Sequence, residues 1–129
     1  MKRLCFAVDL KNDPELIAEY EYWHKSGNSW PEINRSLLDA GIADMEIYRI
    51  ENRLFMIMEV NEHYSPERKL VMDTLNTKVQ EWEALMWRFQ QQLPWAEKDE
   101  KWLPMKRIFK FEEAGEPGRP VQLGRYEEE

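Results

Sequence analysis

The stretch LFMIMEV, residues 54–60, decides the fold, because it is almost continuously apolar. An unbroken apolar run of this length predicts a central β-strand that is covered on both faces. The run RLCFAVDL, residues 3–10, instead alternates apolar and other side chains with a period of two, which also predicts a strand. The fold is therefore expected to contain a sheet with residues 54–60 at its centre.

Helix signals lie between these two strands. Asp13 offers a capping side chain and Pro14 suits a first helical turn, so a helix is predicted over residues 14–25. The sequence SWPE, residues 29–32, matches a capping box that restarts the helix until Gly41. A strand is then predicted over residues 45–50, before the central strand.

The second half of the chain repeats this order. Ser65-Pro66-Glu67 opens a helix and Asn76-Thr77 restarts it, with an apolar stripe that Pro94 ends. Residues 105–111 alternate again and predict the last strand. The stripe consists of Val79, Trp82, Met86, Phe89 and Leu93.

The order strand, helix, strand, strand, helix, strand is that of the ferredoxin-like α+β fold, βαββαβ, with a four-stranded antiparallel sheet. Both helices then cover one face of the sheet, which leaves the other face without cover. A second copy of the chain is the usual cover, so we expect a symmetric homodimer of the dimeric α/β-barrel type. Residues 1–111 form this domain, and residues 112–129, rich in charge, Gly and Pro, are predicted to form a flexible tail.

Composition excludes several classes of function. The 18 basic and 25 acidic residues give a net charge of −7, which disfavours binding to nucleic acid or to an anionic membrane. A single cysteine, Cys5, cannot form an internal disulfide, and with only two histidines no Cys/His zinc spacing exists. The N-terminal apolar run is too short for a signal peptide, so the protein is expected to be cytoplasmic.

Tyr20 and His24 are the first candidates for chemistry. They are four residues apart on a predicted helix, so a phenol and an imidazole lie on the same face. Imidazole can act as acid or base near neutral pH, although the spacing alone favours two partly buried helix residues with no catalytic role. Trp82 is expected in the core from its position on the stripe, and Glu46 is expected on the solvated face of its strand.

Several segments together resemble the L-rhamnose mutarotase family, most closely its L-fucose mutarotase branch. Their order and spacing carry the resemblance, which covers residues 1–111. The segments are EYEYWH (19–24), WPEI (30–33), DAGIADMEIYR (39–49), NRLFMIMEV (52–60), KVQEWEALMWRFQQQLPWA (78–96), KW (101–102) and RIFKF (107–111).

The resemblance implies a small cytoplasmic homodimer that interconverts the α and β anomers of a 6-deoxy-L-sugar, L-fucose or otherwise L-rhamnose, without cofactor or metal. It implies that His24 is the proton donor, that Tyr20 contacts the sugar and that Trp82 lines the pocket. Met45 and Glu46 complete the predicted substrate-binding residues. Water or Glu46 would serve as the second proton relay.

The chain departs from the family pattern at three places. The rhamnose branch has a tyrosine at Met45 and a tryptophan at Glu83, so these changes remove two rings and disfavour L-rhamnose. The stretch from His24 to Trp30 is also longer than usual in the family. Two other functions stay open at this point, a cofactor-free monooxygenase on the same scaffold and a binding module without catalysis.

Overall fold

The computed structural model describes residues 1–111, so the predicted tail at 112–129 lies outside the described residues. Within them, no helix is long and apolar enough to cross a membrane. The elements are β1 (Lys2–Leu10), α1 (Pro14–His24), α2 (Pro31–Asp39), β2 (Ile42–Ile50), β3 (Arg53–Val60), α3 (Pro66–Leu75), α4 (Thr77–Trp87), β4 (Gln90–Gln91) and β5 (Leu103–Pro104).

The sheet has the strand order β2-β3-β1-β4, with antiparallel neighbours, and β5 also pairs with β1. This is the order expected of a ferredoxin-like fold, which confirms the predicted fold class. The N-terminal strand is paired with β3 along nearly its whole length, from Lys2 opposite Val60 to Asp9 opposite Arg53.

The prediction that residues 54–60 form a central strand is confirmed, while within residues 1–111 only one of its faces is fully buried. Leu54, Met56, Met58 and Val60 point to the helices and are buried. The alternate residues are only half-buried, because all the packing recorded for the helices is with the opposite face. The inner face therefore carries the core, and the outer face stays partly exposed.

The predicted end of the last helix needs correction. Helix α4 ends at Trp87 rather than at Pro94, because Gln90 and Gln91 pair with Leu10 and Asp9 and the chain must be extended there to do so. Phe89 nevertheless stays fully buried.

The predicted last strand over residues 105–111 is wrong in the described chain. Only Leu103 and Pro104 pair with β1, and the Met105 amide donates to the Cys5 carbonyl over 2.8 Å. Residues 105–111 belong to no strand of the described sheet, so the alternating pattern does not mark a strand there.

Side-chain caps fix where three of the helices begin. Asp13 accepts hydrogen bonds from two amides of the first turn of α1, Ser65 caps α3 and Asn76 caps α4. The capping box predicted at residues 29–32 is absent, since Trp30 occupies the N-cap position of α2 with no side-chain hydrogen bond.

Candidate active site

A cavity of about 570 Å³ lies between the inner face of the sheet and the helices. Its volume is within the range of small-molecule sites. Met56 and Met58 of β3 and Met45 and Ile47 of β2 contribute sheet residues to its lining. Helix residues complete the lining, among them Tyr20, His24, Ile33, Lys69, Asp73, Trp82 and Glu83.

The structure brings Tyr20, His24 and Trp82 together in this cavity, as the sequence predicts. The Tyr20 and His24 rings, one helical turn apart, have their centroids 4.2 Å apart. The Trp82 ring meets the imidazole edge-on at 5.7 Å and also packs against Trp30 at 5.2 Å. The imidazole thus lies between a phenol and an indole, at a helix end where His24 is exposed to solvent.

One hydrogen bond fixes the tautomer of His24. Its Nδ1 lies 2.7 Å from the backbone carbonyl oxygen of Tyr20, and a carbonyl can only accept, so Nδ1 carries the proton. Desolvation lowers the pKa of His24 below its ordinary value of 6.5, and the bond to the Tyr20 carbonyl opposes this only in part. At neutral pH the imidazole is therefore neutral, with Nε2 as a lone-pair acceptor, which makes it a base.

Tyr20 is a proton-bearing phenol at neutral pH. Burial raises the pKa of Tyr20 to about 12, against a smaller opposing contribution from the hydrogen bond that Gln90 donates to its oxygen over 3.4 Å. Because the Gln90 amide donates to the Tyr20 hydroxyl oxygen, the hydroxyl proton of Tyr20 can itself be donated to another acceptor. A base and a proton donor thus project from one face of α1.

The two predicted residues of β2 lie on opposite faces of the sheet. Met45 is on the inner face opposite Met58 and lines the cavity. Glu46 is exposed on the outer face opposite Ile57 and accepts a hydrogen bond from Tyr48 at 3.2 Å. This placement does not support the prediction of Glu46 as a substrate contact or second proton relay, because a one-residue step in a strand reverses the side-chain direction.

Sequence reasoning missed the polar residues of the cavity. Lys69 and Asp73 of α3 form an ion pair with 2.5 Å between Nζ and Oδ2, and Tyr64 lies beside them in the turn before the helix. Burial raises the pKa of Tyr64, an effect that Lys69 opposes and that Asp73 and Glu67 reinforce. Lys69 and Asp73 are four residues apart and so lie on one face of the helix, but nothing in their spacing shows that this face is the inner one.

The insertion after His24 is ordered around one side chain. The Asn28 side-chain amide donates to the Tyr22 carbonyl over 2.9 Å, and Gly27 takes a φ of +88°, a conformation that suits glycine. This turn carries the chain from the end of α1 to Trp30, whose ring contacts Trp82. The long spacing therefore forms part of the rim beside His24.

The fold and the site together define a class of protein: an antiparallel α+β domain with an aromatic acid/base cavity that is large enough for a small molecule. Among residues 1–111, no three His, Cys, Asp or Glu side chains gather where they could hold a metal ion. The Tyr20 phenol and the His24 imidazole are the proton-transfer groups on the aromatic side of the cavity.

Comparison with known proteins identifies the family. The L-rhamnose mutarotase profile matches residues 3–111. An L-fucose mutarotase of Xanthomonas campestris pv. campestris is 49% identical over 114 residues, which cover 88% of this chain and 91% of that protein. A UPF0734 protein of Dictyostelium discoideum is 38% identical over 112 residues, or 84% of this chain and 88% of that protein.

The fold has a solved counterpart. The crystal structure of L-rhamnose mutarotase FA22100 from Formosa agariphila matches with a TM-score of 0.63 and 23% identity, over 87% of this chain and all of that one. The chain belongs to the L-rhamnose mutarotase family. It is a sugar mutarotase, an isomerase that epimerises carbohydrates.

Proposed function

We propose that the protein interconverts the α and β anomers of L-fucose, with the reaction centred on His24 and Tyr20. The observation that carries this proposal is the imidazole itself, held by its Nδ1 hydrogen bond between the Tyr20 and Trp82 rings of a cavity. L-fucose is favoured because the Xanthomonas relative, 49% identical, is an L-fucose mutarotase. Met45 and Glu83 in the cavity, in place of two rings of the rhamnose branch, agree with this choice.

Ring opening needs one base and one acid. His24 Nε2 takes the proton of the anomeric hydroxyl, the bond between C1 and the ring oxygen breaks, and the Tyr20 hydroxyl gives its proton to that oxygen. The open aldehyde rotates about the C1–C2 bond. On closure the Tyr20 oxygen recovers a proton from the C5 hydroxyl and the imidazolium returns one to the new anomeric oxygen. His24 is therefore a base in opening and the proton donor in closure.

The uncatalysed reaction already proceeds in water, so positioning and two proton transfers are sufficient. Each well-placed acid or base contributes about 10²–10⁴-fold. The Trp82 ring supplies an apolar plate of the kind that packs against the C–H face of a sugar. Met45 is proposed to contact the same sugar from the sheet.

The proposal is tested with a panel of sugars. Saturation transfer between the α and β anomeric proton signals is measured for L-fucose, L-rhamnose and D-galactose with the wild-type chain. We expect L-fucose to be accelerated most, L-rhamnose less, and D-galactose least. Acceleration of L-rhamnose above L-fucose would overturn the choice of sugar, and no acceleration of any of them would overturn the function.

We further propose that two copies of the chain pack through the outer face of the sheet. Tyr48 and Ile50 on β2 are exposed there, next to the half-buried Phe55 and Ile57 of β3. An apolar sheet face of this kind favours a partner. Sedimentation velocity should give a dimer, and Ile57→Lys should shift it to monomer; a wild-type chain that sediments as a monomer would contradict the proposal.

Cytoplasmic localisation stays a prediction.

A further inference from the structure

Helix α3 (Pro66–Leu75) is oriented with its charged residues inward and its aliphatic residues outward. Asp73 is buried and Lys69 is half-buried, and both line the cavity. Leu70, Val71 and Leu75 are instead 68%, 58% and 79% exposed. A helix that only packed against a core would present the opposite face.

The Lys69–Asp73 pair leaves hydrogen-bonding capacity unused. The ammonium has three N–H donors and uses one on Asp73 Oδ2. Within residues 1–111 neither that ammonium nor Asp73 Oδ1 makes a further hydrogen bond or ion pair. Gln80 donates to the backbone carbonyl of Asp73, over 2.8 Å, and not to its carboxylate. A donor and an acceptor are therefore available side by side on the cavity wall.

The pair lies toward the opposite end of the cavity from the imidazole. His24 packs with Tyr20, which belongs to the core cluster around Leu54, at one end of β3. Tyr64, whose pKa is affected by the charges of Lys69 and Asp73, packs against the core cluster that contains Val60, at the other end of β3. Each strand residue advances about 3.3 Å, so the lining spans the length of a sugar ring.

Helix packing alone gives no reason for this arrangement. A shielded ion pair is weak support for stability, because desolvation offsets the attraction between its charges. The comparable pair in α2, Arg35 and Asp39, has the same spacing and faces outward with both side chains exposed. Charges turned into a cavity, with apolar residues of the same helix turned out, point to a polar ligand.

We propose that Lys69 and Asp73 determine substrate specificity by binding two adjacent hydroxyls of the sugar, at C3 and C4, remote from the anomeric carbon. The Lys69 ammonium donates to the C4 hydroxyl oxygen, and Asp73 Oδ1 accepts the proton of the C3 hydroxyl. The substrate class is then the pyranoses with both of these hydroxyls free. This inference rests on the proposed anomer exchange.

The test combines a variant with a change in the sugar. Second-order rates of anomer exchange are measured for L-fucose, 2-deoxy-L-fucose and 4-deoxy-L-fucose, with wild type and with Lys69→Met, which keeps the length of the side chain. We expect Lys69→Met to slow L-fucose and 2-deoxy-L-fucose by about tenfold or more, the size expected for a hydrogen bond to a charge. It should leave 4-deoxy-L-fucose, already slow with wild type, unchanged.

Two further variants make the result decisive. Asp73→Asn should show the corresponding dependence on the C3 hydroxyl, slowing L-fucose and 2-deoxy-L-fucose but leaving 3-deoxy-L-fucose unchanged, so either variant carries the test if the other does not fold. Arg35→Met, which breaks the outward-facing pair, should leave all three rates unchanged. An equal loss for all three sugars in both cavity variants would overturn the proposal.

Failure of the proposed function is recognised separately. If the wild-type chain accelerates no sugar, anomer exchange is rejected and the same cycle is run on binding, by saturation-transfer difference signals of each sugar. Binding that weakens without the C4 hydroxyl in wild type, but not in Lys69→Met, would support the pair as a sugar-binding site. Equal binding of all three sugars would contradict it.

Discussion

Helices α3 and α4 follow one another directly, separated by the cap at Asn76, yet they turn different kinds of side chain toward the cavity. In α4, Val79 and Met86 are buried and the Trp82 ring lines the cavity. In α3, the inward side chains are Lys69 and Asp73, and the aliphatic ones face solvent. One wall of the cavity is apolar and aromatic, and the other is charged.

The difference lies in how each helix is held. Helix α4 is anchored by apolar burial, the usual basis of helix packing. Helix α3 is held by hydrogen bonds near its ends: the Arg68 guanidinium donates to the carbonyls of Asp39 and His63, and Gln80 donates to the carbonyl of Asp73. Since these bonds do not use the inward face, that face is available for recognition. We infer that the aromatic wall carries chemistry and the charged wall carries selection.

The largest effect should come from His24 on the aromatic wall. His24→Gln removes the base but keeps a polar side chain at a partly exposed helix end, so the fold should persist. We expect acceleration of L-fucose anomer exchange to fall by about 10²–10⁴-fold, as measured by saturation transfer. His63→Gln, at an exposed histidine outside the cavity lining, is the matched control and should keep full activity.

The next effect concerns the support of the charged wall. Gly41 has a φ of +95°, and a Cβ there would lie 2.7 Å from Asn61 Oδ1 and 2.9 Å from the Tyr64 amide nitrogen. Gly41→Ala should therefore destabilise folding by about 3 kcal/mol, measured by urea unfolding. Gly27→Ala has a similar φ but no atom within 4 Å of the Cβ, and should cost about 1 kcal/mol. Equal losses would mean that close packing at Gly41 does not matter.

A smaller effect should appear in the pH dependence. The pKa of His24 is lowered in the folded chain. Above pH 6.5, the pKa of His24 in the unfolded chain, the imidazole is neutral in both the folded and the unfolded state. As the pH falls below 6.5, the unfolded chain binds a proton at His24 more readily than the folded chain does, so the free energy of unfolding decreases. The rate of anomer exchange should likewise be constant near pH 7 and decrease only below pH 6.5, where His24 begins to be protonated. Chemical denaturation and exchange rates between about pH 8 and pH 5 check this, and His24→Gln should lose this contribution to both.

The smallest effect should come from the outward face of α3. Leu75→Gln replaces a side chain that is 79% exposed, so stability should change by no more than about 0.5 kcal/mol and exchange should not change. A large loss of either would show that this face is covered in solution. The comparison of the two helices would then need a partner on the aliphatic side.

The sequence predicted the sheet and the central strand from local periods, and the shared position of Tyr20 and His24 from their spacing on one helix. It placed Trp82 in the core, and only the family resemblance placed Trp82 in the pocket with them. It could not predict the inversion of α3, since the ordinary rule places Leu70 and Val71 inward. It also missed the pairing of Gln90 with Tyr20, which joins residues far apart in the chain. Local patterns identified the aromatic wall, and only the tertiary structure revealed the charged one.

The central claim is that a neutral imidazole at position 24 acts on the sugar through Nε2. The most direct measurement is the ¹⁵N chemical shift of both ring nitrogens of His24 at pH 7, with and without L-fucose. The account predicts a protonated Nδ1, an Nε2 with a lone pair, and a shift of Nε2 when the sugar binds. An imidazolium at pH 7, or an Nε2 signal that saturating L-fucose leaves unchanged, would contradict it.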